Sequence, residues 1–107
     1  MSPSVQGRFA VIFTSLRTEG DHGYGAMAEE LEKRMKDQPG FLGMESARGE
    51  DGVGITVCYW DSLEAIAAWK ALPIHQEAQA RGRAEWYQRY QVRVCRVERE
   101  YGFPDGD

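Results

Sequence analysis

The chain has 107 residues, enough for one domain with one hydrophobic core and too few for two. Its composition, 42% hydrophobic and 28% charged residues, is typical of a globular protein and excludes a disordered chain. The formal net charge of −4 lacks the basic excess of nucleic-acid-binding domains, so we expect no nucleic-acid partner.

The first half of the chain predicts a strand, a helix and two further strands. Residues 9–18 are rich in β-branched and aromatic side chains, which favours a buried strand. Apolar residues recur at helical spacing over residues 24–35, and the sequence Gln38-Pro39-Gly40 ends this helix. Residues 41–48 and 53–60 are strand-like and are separated by a glycine-rich turn. Bulky side chains on both faces of the latter strand predict that both faces are covered.

Two helices follow in the second half. Asp61 and Glu64 have the spacing of a capping box, which predicts that Asp61 caps a helix over residues 62–72. Leu63 and Ile66 lie on one face of this helix. Pro73 is favoured in the first turn of a helix, so we expect a further helix from Pro73 to about residue 87.

Residues 91–101 predict a last strand, with a bulge where the apolar phase shifts between Val94 and Cys95. The order β-α-β-β-α-α-β is that of the ferredoxin-like split βαβ fold. We therefore expect one α+β domain over residues 1–107, with a four-stranded antiparallel sheet and helices on one face. Because the strands are apolar on both faces, the other face would be exposed in a monomer, and we expect a homodimer that packs sheet to sheet.

Targeting signals and metal patterns are absent from the sequence. No apolar segment approaches the about 20 residues that cross a membrane, and the first eight residues lack the apolar region of a secretory signal. Cys58 and Cys95 lie far apart in strand-like segments and match no disulfide or metal pattern, so we expect two buried, reduced thiols. These features predict a cytoplasmic protein without a membrane partner or a metal.

The candidate functional residues lie on one stripe of the last helix. His75, Gln79, Gly82 and Trp86 are spaced by four, three and four residues, which places an imidazole, an amide, a gap and an indole on one face. Trp69 lies at the flank of the preceding helix. A tryptophan at helical spacing usually packs in the core, and a histidine at a helix start often binds a backbone carbonyl. The alternative is an apolar pocket between helices and sheet with few polar groups.

The segments PGFLGMESAR and VGITVCYWDSLEAIAAWKALPIHQEAQARGRAEWYQRYQVRVCRVERE resemble the antibiotic biosynthesis monooxygenase (ABM) superfamily. The resemblance covers about residues 8–101. Its elements are Pro39-Gly40-Phe41, Tyr59-Trp60-Asp61 at a strand end, Trp69 followed by His75, and Trp86-Tyr87 at a helix end. It implies a dimeric α+β barrel. It also implies oxygenation of polyketide quinols without a cofactor or, as in one relative, oxidative haem breakdown.

Two departures from the family limit what the resemblance carries over. The haem-degrading relatives have their axial histidine near the position of Gln79, and both they and the quinol oxygenases use an asparagine. This chain contains no asparagine, and its first strand has Thr14 and Ser15 instead. Neither known active site is therefore matched in full, and the fold alone carries over the activity. Gln79 in place of the axial histidine disfavours haem, and the oxygenase that the resemblance implies would use no metal or flavin.

Three functions remain open at this point. In a cofactor-independent monooxygenase, His75 would take a proton from an electron-rich quinol or phenol, and Trp69 would stand beside it. Phe13, Ser15, Gln79 and Trp86 would line the substrate pocket, with Gln79 orienting a substrate oxygen. The second function is a non-catalytic dimeric module that binds a small ligand. The third is a haem protein with His75 as the axial ligand.

Overall fold

The computed structural model describes residues 4–104 and consists of a four-stranded antiparallel sheet with helices on one face. The elements are β1 (Phe9–Arg17), α1 (Tyr24–Lys36), β2 (Phe41–Arg48), β3 (Val53–Trp60), α2 (Leu63–Ala71), α3 (Pro73–Arg81) and β4 (Tyr87–Arg96). The strand order is β2-β3-β1-β4, so β1 lies between β3 and β4. This is the split βαβ arrangement, and the predicted fold class is confirmed.

The hydrophobic core lies between the helices and one end of the sheet. Met35, Trp60, Ile66 and Trp69 form its buried cluster, and half-buried side chains of β1 and β2 pack against them. Ile66 and Trp69 are three residues apart, so they share the buried face of α2. Leu63 is 53% exposed, which moves the buried stripe of α2 from the predicted Leu63 and Ile66 towards Trp69.

The start of α2 differs from the predicted capping box. Ser62 is the N-cap residue, and its hydroxyl accepts a hydrogen bond from the backbone N–H of Ala65 at 3.0 Å. The backbone N–H of Asp61 donates instead to the carbonyl of Gly40 at 2.8 Å. The prediction of Asp61 as the cap was wrong because this long-range bond keeps Asp61 in the loop before the helix.

The region between α3 and β4 also differs from the prediction. The α-helix ends at Arg81, a π-helical turn covers Gly82–Trp86, and β4 begins at Tyr87. The predicted helix end near residue 87 and the predicted strand over residues 91–101 were therefore wrong at their boundaries. The cause is long-range, because the carbonyl of Trp86 accepts bonds from the Thr18 N–H at 3.0 Å and from Arg17 Nε at 2.9 Å.

The irregularity of β4 lies near its start. Its pairing with β1 shifts register between Leu16 and Arg17, opposite residues 87–89. Pairing is regular at Val94 and Cys95, so the bulge predicted there was wrong. The phase shift in the sequence has a different cause: β4 is an edge strand with no helix over its second half, and Val94 is 50% exposed.

One face of the sheet carries apolar side chains and no helix. Residues of β1 alternate between the two faces, and Phe9 and Val11 pack against the core, so Ala10 and Ile12 point the other way. On β3 this open face includes Val53 and Ile55, which are 42% and 49% exposed. We expected both faces of β3 to be covered, but in the single chain only the face that packs against the helices is covered.

The cysteines differ in burial. Cys58 is half-buried on the face that packs against the helices, and burial raises its pKa to about 11. Cys95 is exposed and pairs with Ala10 on the open face, so the prediction of a buried thiol was wrong for Cys95 in the single chain. Within residues 4–104 no helix is both long and apolar enough to span a membrane.

Candidate functional site

Trp69 and His75 meet where α2 joins α3. Their rings pack edge to face with centroids 5.5 Å apart and planes at 75°. A tight turn at Leu72 positions them: its N–H donates to the carbonyl of Trp69 at 3.2 Å, and its carbonyl accepts from the N–H of His75 at 3.0 Å. Leu72 is extended because the next residue, Pro73, disfavours helical backbone before it. We call this contact the Trp69/His75 pair.

The imidazole of His75 is half-buried, and one of its nitrogens lacks a partner. Nδ1 is sealed from solvent and makes no hydrogen bond within residues 4–104. Burial lowers the pKa of His75 below its ordinary value of 6.5, and the positive charge of Lys70 lowers it further. The ring is therefore neutral at neutral pH and able to accept a proton. The alternative in which Nδ1 binds a backbone carbonyl is not what the structure has.

The two candidate tryptophans use their indole N–H groups differently. Trp86 is 2% exposed, and its Nε1 donates to the backbone carbonyl of His22 at 2.9 Å. Trp86 also packs edge to face on Tyr24, so it holds the loop before α1 against the end of the last helices. Trp69 is similarly buried, but its N–H makes no hydrogen bond to another residue in the described part of the chain.

The predicted stripe of four residues is interrupted. His75 and Gln79 lie one turn apart on α3. Gly82 starts the π-helical turn, which has more residues per turn than an α-helix, so Trp86 leaves the stripe. The gap expected at Gly82 is filled by the chain itself, since a Cβ there would lie 3.0 Å from the ring of Tyr87.

Phe13 and Ser15 form a second group farther along the same face of β1. Phe13 stacks on Tyr90 and meets Tyr87 edge to face, both with centroids 5.3 Å apart. Ser15 is 4% exposed, and its Oγ accepts a hydrogen bond from Nη2 of Arg48 at 2.8 Å. The two groups occupy successive parts of one sheet face, because Phe9 and Val11 of this strand pack against the Trp69 cluster.

Sequence reasoning missed the partners of this second group. Tyr87 and Tyr90 flank the register shift of β4, and only the correct start of β4 places both against Phe13. Arg48 is the last residue of β2, whose second half is exposed, and no sequence pattern marked it as a functional residue. Its approach to Ser15 depends on the register of β2, which shifts between Phe41 and Gly43.

Two shallow depressions lie elsewhere on the surface. One, of about 180 Å³, is bordered by residues of β2 and β3 together with Val5 and Glu100. The other follows charged side chains of α1. Neither contains a predicted site residue. Among residues 4–104, no three His, Cys, Asp or Glu side chains are grouped as metal ligands would be.

One family model matches most of the chain. The sequence profile described as antibiotic biosynthesis monooxygenase matches residues 8–81, which include Trp69, His75 and Gln79. An uncharacterized protein of Bacillus subtilis (strain 168), YqjZ, is 50% identical over 97 residues, which cover 91% of this chain and 85% of that protein.

Solved structures share the fold at low sequence identity. Rv0793 from Mycobacterium tuberculosis superposes with a TM-score of 0.76 at 13% identity, covering 89% of this chain and 99% of that one. SnoaB from Streptomyces nogalater, described as a cofactor-independent oxygenase, superposes with a TM-score of 0.74 at 13% identity, covering 92% and 99%. At such identities the likeness shows a common fold and leaves function to the site.

Proposed function

Because the chain belongs to the antibiotic biosynthesis monooxygenase family, we propose that it is a cofactor-independent monooxygenase of an electron-rich aromatic small molecule, a quinol or a phenol. The observation that carries the proposal is the Trp69/His75 pair, in which a neutral imidazole packs edge to face against an indole. The description of SnoaB as a cofactor-independent oxygenase supports a reaction without a cofactor.

The proposed oxygenation requires a general base and an active site that excludes water. A phenolic O–H must lose its proton before the ring can pass an electron to dioxygen. Oxygenation then places one oxygen atom on a ring carbon, and the other leaves as water with electrons and hydrogens from the substrate. His75 takes the proton because its lowered pKa leaves the ring neutral. Trp69 forms the apolar wall beside it, and Gln79, one turn along α3, offers an amide to a substrate oxygen.

The two imidazole nitrogens differ in access. A neutral imidazole carries its hydrogen on one nitrogen and accepts on the other. Nδ1 is sealed from solvent, so a substrate proton does not reach it in this conformation. We assign Nε2 as the acceptor for this reason, with Nδ1 holding the hydrogen.

We also propose that two chains associate through the open face of the sheet. The support is its apolar character: Val53 and Ile55 lie there and are 42% and 49% exposed in the single chain. Soluble monomers rarely leave a contiguous apolar face uncovered, and a two-fold axis through this face would cover both copies.

The direct test is oxygen consumption by the purified protein with anthrone and with a naphthohydroquinone. We expect uptake above the uncatalysed rate, without added metal, flavin or haem, and one atom of label in the product from isotopically labelled dioxygen. Hemin is added in a parallel sample. Tight, one-to-one hemin binding with a sharp Soret band that His75→Ala abolishes would favour a haem protein. Ligand binding without oxygen uptake for any quinol or phenol would favour the non-catalytic module.

A further inference from the structure

A row of four residues crosses the sheet on its helix-facing side. Arg48 of β2 pairs with Gly54 of β3, Gly54 pairs with Ser15 of β1, and Ser15 pairs with Tyr90 of β4. Residues that pair directly in antiparallel strands project on the same face. We call this set the Arg48 row.

The guanidinium of Arg48 lies flat across the middle of the row. A Cβ at Gly54 would lie 2.5 Å from Cζ of Arg48, so a residue with a side chain would displace the guanidinium. Past this glycine, Nη2 donates to Ser15 Oγ at 2.8 Å and Nη1 donates to the carbonyl of Gly52. The cation is therefore held in one orientation before any ligand arrives.

Arg48 keeps hydrogen-bonding capacity that the described residues do not use. A guanidinium has five N–H groups, and two of them are taken by Ser15 and Gly52. The ion pairs within residues 4–104 lie on the helices and the π-helical turn, and none includes Arg48. The hydroxyl of Ser15 accepts from Arg48, so its own hydrogen is free to donate. Arg48 is thus an exposed cation with unused N–H groups, and the buried Ser15 hydroxyl fixes its position.

Aromatic rings border the row. Phe13 stacks on Tyr90 with centroids 5.3 Å apart. Tyr87 packs against both rings at the end of the row. Burial raises the pKa of Tyr87, while the charges of Arg48 and Arg17 act on it in the opposite direction. Tyr87 thus remains a neutral phenol.

We propose that the Arg48 row binds the carboxylate of an aromatic acid. The carboxylate accepts from the free N–H groups of Arg48, which Ser15 and Gly52 hold in place, while the aromatic ring lies against Phe13 and Tyr90. A planar guanidinium matches a planar carboxylate with paired, charge-assisted hydrogen bonds. The inference deepens the proposed function, because it adds an acidic group to the substrate. It rests on that function for the expectation that the ligand is an aromatic small molecule.

The test compares naphthoate with naphthamide, which has the same ring and no charge, by titration calorimetry on the full chain. We expect naphthoate to bind about 10-fold or more tightly than naphthamide, because charge-assisted hydrogen bonds are stronger than neutral ones. Arg48→Gln should remove this preference and leave naphthamide binding unchanged. Equal binding of the two compounds, or no measurable binding of naphthoate, would overturn the proposal.

Two further variants separate position from charge. Gly54→Ala changes no charge but displaces the guanidinium of Arg48, so it should weaken naphthoate binding as Arg48→Gln does. Arg99→Gln, at an exposed position after β4, makes the same change of charge and should leave binding unchanged. Equal losses in Arg48→Gln and Arg99→Gln would mean that net charge alone governs binding, which contradicts a built site.

Failure of this proposal is distinguishable from failure of the proposed function. Naphthoate binding is measured without turnover, so it is scored independently of oxygen uptake. Oxygen uptake with an uncharged quinol and no naphthoate preference would retain the oxygenase and discard the Arg48 row. A naphthoate preference with no oxygen uptake from any quinol would do the reverse.

Discussion

Trp69 and Trp86 show how the same side chain serves different purposes within one layer of the molecule. Both are buried, at 7% and 2% exposure, and both lie at helical spacing in the sequence. The N–H of Trp86 is taken by the carbonyl of His22, whereas that of Trp69 has no acceptor in the described residues. The difference arises because the loop before α1 places the His22 carbonyl beside Trp86. Periodicity alone therefore could not distinguish a structural tryptophan from a candidate site tryptophan.

This difference predicts unequal costs for one substitution. Trp86→Phe and Trp69→Phe both shrink a buried ring, but the former also removes a hydrogen bond of the protein. We expect Trp86→Phe to lower the free energy of unfolding by about 1 kcal/mol more than Trp69→Phe does, the usual contribution of one such bond. The His22 carbonyl still accepts from Arg81 Nη2 at 2.9 Å, which keeps the difference small. Urea denaturation measures it, and an equal or larger loss in Trp69→Phe would contradict it.

His75 should titrate below its ordinary pKa of 6.5, because burial and Lys70 both disfavour the charged ring. The unfolded chain then takes up the proton more readily than the folded chain does, so protonation favours unfolding. The contribution of His75 to stability is present above pH 6.5 and is lost as the pH falls through its lowered pKa. An NMR titration of the imidazole should have its midpoint below 6.5, and a midpoint at or above that value would contradict the assignment of a neutral base.

At the scale of elements, apolar periodicity predicted which segments are helices and which are strands. It placed the start of α1, the two central strands and the break at Pro73 close to where the structure has them. It did not predict the element boundaries that are set by contacts between residues far apart in the sequence. The carbonyl of Gly40 keeps Asp61 out of α2, and side chains and backbone at the end of β1 draw the chain into β4 directly after Trp86. Such contacts join positions that no local window contains.

The Arg48 row could not be predicted for a related reason. Its members come from four strands, and their alignment depends on two register shifts, at the start of β2 and at the start of β4. A one-residue change of register would turn Arg48 to the other face of the sheet. The Trp69/His75 pair was predictable because its spacing is local and Pro73 fixes the turn between the two helices.

The corrected start of α2 gives an element-scale prediction. Ser62→Ala removes the side-chain acceptor for the Ala65 N–H and should lower the free energy of unfolding by about 1 kcal/mol. Asp61→Ala is the matched control, because the capping box predicted from sequence assigns this loss to Asp61. We expect a loss of only a few tenths of a kcal/mol there. Thermal or urea denaturation distinguishes the two, and a larger loss at Asp61 would restore the capping box.

At the scale of the whole molecule, the open face of the sheet is an apolar surface that association would cover. Ile55→Glu places a charge at the middle of this face and should convert the proposed dimer to a monomer, because an unpaired charge is costly to bury in an apolar interface. Val94→Glu is the matched control, since Val94 is 50% exposed like Ile55 at 49% but projects from the helix-facing side. Sedimentation velocity should show a wild-type dimer, an Ile55→Glu monomer and a Val94→Glu dimer. Dissociation of both variants, or a wild-type monomer at micromolar concentration, would contradict the proposed interface.

The chain contains two histidines, which provides a matched pair for its central claim. His75 lies against Trp69, whereas His22 is exposed in the loop before α1. The most direct measurement is the initial rate of oxygen uptake with one quinol by His75→Gln and by His22→Gln. We expect a loss of about 10²- to 10⁴-fold for His75→Gln, the range for removal of a general base, and a rate near wild type for His22→Gln. Equal rates in wild type and a folded His75→Gln protein would contradict the assignment of His75 as the base.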